Sequence, residues 1–183
     1  VQGGGGGSRS WITEGDVTAL SHPLNVPDAE LVVPEYSVNG QIIYGDTNFS
    51  VSALGTTPGY LEMYDLAVWS GRFIGEDDEG DKVAVLGATV AEELFGDFDP
   101  VGTKIRFTSI STGRKISLKI IGVLEEKGGS MFAGVDDSIV VPLETAQTKL
   151  ANARNVFGDL TVNRVNVMAT SDTAVETAYA QVE

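Results

Sequence analysis

Along the chain, apolar residues recur at every second position in some stretches and at three-and-four spacing in others. That switching predicts a mixture of strands and short helices. Phe49, Val51 and Ala53 share one face of a strand over 49–54, which pairs with 41–44 across Gly45-Asp46-Thr47 as a hairpin. Leu31–Val38 predicts an earlier strand, and Pro34, which cannot donate to a ladder, suggests an edge position for it. Ile116, Leu118 and Ile120 alternate before Ile121-Gly122-Val123 fills both faces, giving a long strand over 116–125. Ser138–Val141 reads as a strand too, as does Leu160–Met168 with Val162, Val165 and Val167 apolar.

The helical stretches carry start and stop signals. Thr13 with Asp16 opens a short helix with Val17 and Leu20 on its apolar edge, and Pro23 ends it. Pro142 suits the first position of another, whose stripe is Leu143, Ala146 and Leu150. Ser171 or Asp172 caps a last helix with Val175, Ala178, Tyr179 and Val182 on one side. The tightest succession is 82–106. Lys82–Gly87 suits a strand buried on both faces, and Thr89 with Glu92 makes a capping box. Val90, Ala91, Leu94 and Phe95 then share a face, Gly96 ends the helix, and after a turn over 97–102 a new strand starts at 104. No nucleophile, base or metal cluster is embedded there, so this block is scaffold.

The same block carries a family resemblance. V-A-V-L-G-x-x-V-A-x-x-L-F-G followed by D-P-V-G-x-x-I resembles the periplasmic core domain of MacB-like ABC transporter permeases, within the wider FtsX-like permease group. Gly59-Tyr60, Trp69-Ser70-Gly71-Arg72-Phe73 and Asp77-Asp78 extend the likeness upstream. Ile120 to Leu124, Asp137 to Pro142, Thr145-Ala146 and Leu150 extend it downstream. The resemblance implies an α+β fold: a porter-like α+β subdomain built from both chain ends (11–55 and 137–183), with a β-rich subdomain carrying a short helix (56–136) inserted between them. It implies termini that lie close together and a domain held outside the cytoplasm between the first two membrane helices of an inner or plasma membrane protein. On that reading the present chain looks like the loop excised without its anchors, and the last helix runs on toward the second span.

Composition narrows the functions. The 183 residues suffice for one domain or two small subdomains, and an apolar fraction of 42% argues against disorder. A net charge of -14 without a basic stripe disfavours nucleic acid and anionic lipid. There is no cysteine, which excludes disulfides, thiolate metal sites and cysteine nucleophiles, and fits an exported domain. No run approaches the ~20 apolar residues of a membrane span, and no signal peptide opens the chain. The segment 1–10 reads as a flexible Gly-rich linker; its glycines miss both the dinucleotide fingerprint and the P-loop ending.

Candidate chemistry is sparse. His22, the single histidine, reads as a surface residue at a helix end rather than a base or ligand. Tyr60, Met63, Tyr64 and Trp69 read as core anchors, with a substrate-facing surface as the alternative. The acidic run Glu76, Asp77, Asp78, Glu79 and Asp81 lacks the ligand order of a calcium loop and reads as a solvated loop, paired with Arg72. No nucleophile, base and oxyanion donor form a set, so the chain reads as no enzyme, with no catalytic residue, cofactor or metal site. In the glycine-rich stretch 127–135, Met131 and Phe132 are the candidate contact residues for a partner or substrate; the alternative is a loop that folds them under itself.

The resemblance implies the remaining partners. They are a second permease copy in a full-length homodimer, a cytoplasmic ATPase domain or subunit, and a periplasmic adaptor, with the isolated domain a monomer. It further implies relay of ATP-driven movements of the membrane helices to peptide, antibiotic or lipoprotein-type substrates. The alternative from another class is a stand-alone extracytoplasmic ligand-binding or sensor module.

Overall fold

The computed structural model describes residues 12–22, 24–27, 29–45, 47–128 and 133–169. In chain order the elements are β1 (Ile12–Thr13), α1 (Glu14–Leu20), β2 (Ala29–Tyr44), β3 (Thr47–Thr56), α2 (Gly59–Met63), β4 (Val68–Gly71) and β5 (Val83–Leu86). They continue with α3 (Ala88–Phe95), β6 (Lys104–Ser109), β7 (Lys115–Leu124), α4 (Ala133–Asp136), β8 (Ser138–Pro142), β9 (Thr161–Val162) and β10 (Arg164–Ala169). A 3-10 turn, Glu76–Asp78, precedes β5, and a π-helix, Thr145–Leu150, follows β8. The fold is α+β and rich in strands, as expected; the last expected helix, from 171, lies outside the described residues.

The strands close on themselves. β2 pairs with β3, β3 with β8, β8 with β5, β5 with β7, β7 with β6, and β6 returns to β2 at Gly40–Ile43. Alternate side chains point into the ring, so Val38 and Ile42 of β2 meet Val51 and Ala53, Ala84 and Leu86, Ile105 and Phe107, Leu118 and Ile120, and Ile139 and Val141. Two helices plug the ring at opposite ends of the β2–β3 ladder. At the hairpin end α3 inserts Val90, Ala91 and Leu94, and its Phe95 ring lies 4.5 Å from that of Tyr44. At the other end the π-helix inserts Ala146 and Leu150, so close that a Cβ on Gly55 would stand 2.3 Å from the Ala146 methyl. Outside the wall, α2 covers Val33, Leu54, Val85 and Val140 with Tyr60, Leu61 and Met63. The strands of 12–55 and 137–169 are neighbours in this arrangement, and β4–β7 from 56–136 complete it through the β8–β5 and β2–β6 pairs.

Several expectations need correction. The stretches 31–38 and 41–44 are one strand of 16 residues. Gly40 does not break it, because the Phe107 ring lies over the bare Cα and leaves no room for a side chain. Pro34 sits where β2 pairs with β10 alone, opposite Val165 and before the β3 ladder begins at Tyr36, so its missing donor breaks no ladder; the flank is nevertheless buried, and the Pro34 carbonyl accepts from Thr56 Oγ1 at 2.9 Å. The N-cap of α3 is Gly87, not Thr89, and no side chain caps the helix. A Cβ on Gly87 would fall 2.3 Å from the Asp136 carbonyl, and its amide donates to Ser138 O, so strand passes into helix with no loop in which a capping box could form. Pro142 stays in β8 opposite Thr56, and the helix after it is a π-helix. The stretch 160–168 is split at Asn163, whose amide donates to Glu35 O while its Oδ1 accepts from Ser37 N at 2.8 Å. Trp69 is no core anchor; it is 58% exposed, whereas Tyr60 is buried and Met63 and Tyr64 pack beside it.

The α1 start holds as read. Asp16 N donates to Thr13 Oγ1 and Thr13 N donates to Asp16 Oδ2 at 2.8 Å, the reciprocal cap; the bonds the Asp16 carboxylate accepts from Thr13 N and Thr13 Oγ1 lower its pKa. Before it, β1 pairs with β9, placing Ile12 beside Val162, while β10 runs antiparallel to β2 and places Ala169 beside Ala29.

Candidate functional site

Met131 and Phe132, the sequence candidates for partner contact, lie outside the described residues. The base of their loop is described, and it is tied. Asp136, buried, accepts from the amides of Lys127 and Gly128, both at 3.3 Å, which joins the two ends of the loop. Lys127 Nζ donates to the Tyr64 carbonyl at 2.9 Å and to the Asp65 carboxylate at 3.1 Å. Sequence alone shows nothing of this tie, since Asp136 and Asp137 are adjacent acids and only one turns inward.

The acidic run is corrected in one respect. Glu76 and Asp77 are solvated, but Asp78 is buried and holds Arg72 with two bonds, at 2.5 and 2.7 Å, as well as the Gly75 amide. The Arg72 hydrogen bonds, helped by that of Gly75, hold the Asp78 carboxyl below its ordinary value. His22 is exposed, and its Nδ1 accepts from Leu24 N at 3.3 Å. Among the described residues no three His, Cys, Asp or Glu side chains are gathered as metal ligands.

Two features were missed by the sequence reading. The first is Glu35, a lone acid in the apolar run L-V-V-P-E-Y, 6% exposed at the point where β2 passes from β10 to β3. Its Oε1 accepts from Tyr64 OH at 3.2 Å and from Asn166 Nδ2 at 2.6 Å, and Arg164 Nη1 stands 3.7 Å from Oε2. A cleft of about 260 Å³ opens there between α2, α4 and the β2–β3–β8 wall, lined by Glu35, Ser37, Ser52, Tyr60, Tyr64 and Arg164 among others. Burial and the Glu35 charge together push the Tyr60 hydroxyl well above its ordinary range. The available signal was a charged residue inside a strand otherwise fit for burial.

The second is a shallow groove of about 370 Å³ between Trp69, Phe98 and Pro100, with Glu92, Glu125 and Glu126 at its margin. Phe98 is 80% exposed, and Ser70 Oγ donates to Asp99 at 2.6 Å, holding the turn that carries it against β4. An aromatic set between Asp97 and Asp99 in a turn is the sequence sign of such exposure.

Compared with known proteins, residues 1–183 match the family described as MacB-like periplasmic core domain. The chain is 35% identical over 147 residues to the macrolide export ATP-binding/permease protein MacB of Bdellovibrio bacteriovorus, a match covering 79% of this chain and 21% of that protein. It thus spans about a fifth of the length of the curated relatives it matches. In fold it is similar to the extracellular domain of the noncanonic ABC-type transporter YknZ from Gram-positive bacteria, with a TM-score of 0.71 at 21% identity, covering 93% of this chain and 80% of that one. It is likewise similar to the periplasmic region of MacB from Actinobacillus actinomycetemcomitans, with a TM-score of 0.70 at 18% identity, covering 93% and 71%.

Proposed function

We propose a function that proceeds from one premise: the chain belongs to the MacB-like periplasmic core domain family. It is a periplasmic domain of a MacB-like ABC transporter permease, and that family is a transporter domain rather than a catalytic one. No helix among the described residues is long and apolar enough to cross a membrane. The proposed role is mechanical. ATP is bound by a cytoplasmic ATPase component, whose cycle moves the membrane helices of two permease copies. Those helices move this domain as a body, and the domain passes the motion to a substrate or to a periplasmic adaptor. Peptide, antibiotic and lipoprotein-type compounds are the proposed cargo classes; the Bdellovibrio relative is named for macrolide export.

One observation supports this reading above the others: the strand ring, closed by hydrogen bonds and plugged at both ends. A close-packed body bonded all round deforms little when one margin is pushed, so displacement at that margin is carried across it. We further propose Met131 and Phe132 as contact residues for partner or substrate. The relay is tested in the full-length transporter in lipid nanodiscs, with spin labels at exposed Lys115 of both copies. Inter-label distances should change between the nucleotide-free and ATP-trapped states. An unchanged distance distribution in a transporter that still hydrolyses ATP and exports overturns the relay. For the loop, Met131→Asp with Phe132→Asp should lower export or adaptor binding without lowering the melting temperature.

A further inference from the structure

The cleft beside Glu35 has the features of a binding site, and its chemistry is one-sided. Glu35 is 6% exposed, yet only Oε1 is satisfied, by Tyr64 OH and Asn166 Nδ2. Oε2 has no hydrogen-bond donor among the described residues; the nearest cationic atom is Arg164 Nη1 at 3.7 Å, on a side chain 67% exposed. A guanidinium so exposed, beyond hydrogen-bond distance, is a weak tether. Tyr60 lines the cleft as well: its ring is buried, and its hydroxyl is not among the buried atoms left without a partner, so it opens to the cleft. Its ring packs on Tyr64 with centroids 4.6 Å apart, and Ser37 and Ser52 bring hydroxyls to the rim. Glu35 Oε2 is not among the buried atoms left without a partner, so it faces the open cleft, where a donor can reach it.

We propose that this cleft binds a primary ammonium group. An ammonium carries three donors, which match Glu35 Oε2, the Tyr60 oxygen and a rim serine hydroxyl. The tyrosine rings favour a cation at their faces, and the carboxylate repels an anion. The volume of about 260 Å³ admits one side chain or one chain terminus, not a folded segment. Arg164 acts as a counter-ion in the empty cleft and swings out when the ammonium enters. This site is independent of the relay role and stands or falls separately from it.

The test is a titration of the isotope-labelled 183-residue chain, following backbone amide shifts. Butylamine should give saturable shifts at Glu35, Ser37, Ser52, Tyr60 and Tyr64, while butyrate should not. Glu35→Gln keeps the shape and the Oε1 acceptor but should weaken amine binding by about tenfold or more, the effect of losing a charge-assisted bond. Arg164→Met should leave binding unchanged or tighten it, since it removes the competitor. Glycinamide, which offers an amino-terminal ammonium, and Nα-acetyl-lysinamide, which offers a side-chain one, distinguish the two sources by which saturates at lower concentration. Saturation by butyrate, amine binding unaffected by Glu35→Gln, loss of binding in Arg164→Met, or no saturable shift with any amine each overturns the proposal.

Discussion

Replacing Gly40 by alanine is the sharpest probe of the ring. An added Cβ would lie 2.2 and 2.6 Å from two Phe107 ring carbons and 2.6 Å from the Thr108 carbonyl oxygen. Phe107 is fully buried, so its ring has no vacant direction, and Thr108 belongs to the strand that closes the ring against β2. Relief therefore requires both a ring shift and a backbone shift. Overpacking of this kind costs ~1–3 kcal/mol. Against it stands the smaller unfolded-state entropy of alanine, worth ~0.4–1 kcal/mol. The expected net loss is about 1–2 kcal/mol, which lowers the melting temperature by roughly 2–8 °C for a chain of this size. Urea unfolding followed by tryptophan fluorescence should show a lower midpoint and an unchanged slope. Phe107→Leu alone should cost ~1–3 kcal/mol through the cavity it leaves. Combined with Gly40→Ala it should cost about 1 kcal/mol less than the sum, because the leucine makes room for the new methyl. A Gly40→Ala protein as stable as the parent, or strict additivity in the pair, would show that the ring does not lie over that Cα.

Further outcomes follow from other parts of the fold. Leu94→Ala opens a cavity where α3 plugs the ring and should cost ~2–5 kcal/mol in the same unfolding assay; an unchanged midpoint would remove the plug. Asp78, whose folded pKa is held below the ordinary 3.8, contributes stability above that value, and the contribution is lost as pH falls through the folded value. Asp78→Asn should therefore lower stability at neutral pH by about 1–2 kcal/mol, toward the smaller figure because Arg72 lies in solvent, and in thermal melts the difference should begin to shrink below pH ~4 and vanish once the pH is below the folded value. Asp136→Ala should speed hydrogen exchange at the Lys127 and Gly128 amides while exchange in β7 stays as it was; equal protection in both proteins would mean the carboxylate does not tie the loop.

Element type was largely readable from the sequence where burial is one-sided. The alternation in β7 and β3 and the apolar face of α3 appear as the pattern predicts, because each face meets a single environment. Errors cluster where one residue answers to a distant neighbour. The strands expected over 31–38 and 41–44 are joined through Gly40, against which Phe107 packs, and Gly87 reads as the end of a strand until Val135 and Asp136 press against it. Pro34 reads rightly as a place with one strand neighbour, but its burial and the bond its carbonyl accepts from Thr56 are not visible in the sequence. Asn163 divides a run that is apolar enough to continue, by bonding to Glu35 and Ser37 from a segment far along the chain. Glu35 itself was legible only as an oddity. Its partners Tyr64, Asn166 and Arg164 come from α2 and β10, and no local spacing joins them.

Closure of the strands also governs how neighbouring molecules meet. Lateral backbone groups in an open layer can recruit another chain, and here most are already consumed within one polypeptide. Among the described residues the two end strands of the larger sheet are short: four residues in β4, pinned through Ser70 to Asp99, and six in β10. Copies brought together would thereby be kept from zipping into a shared, self-templating ladder.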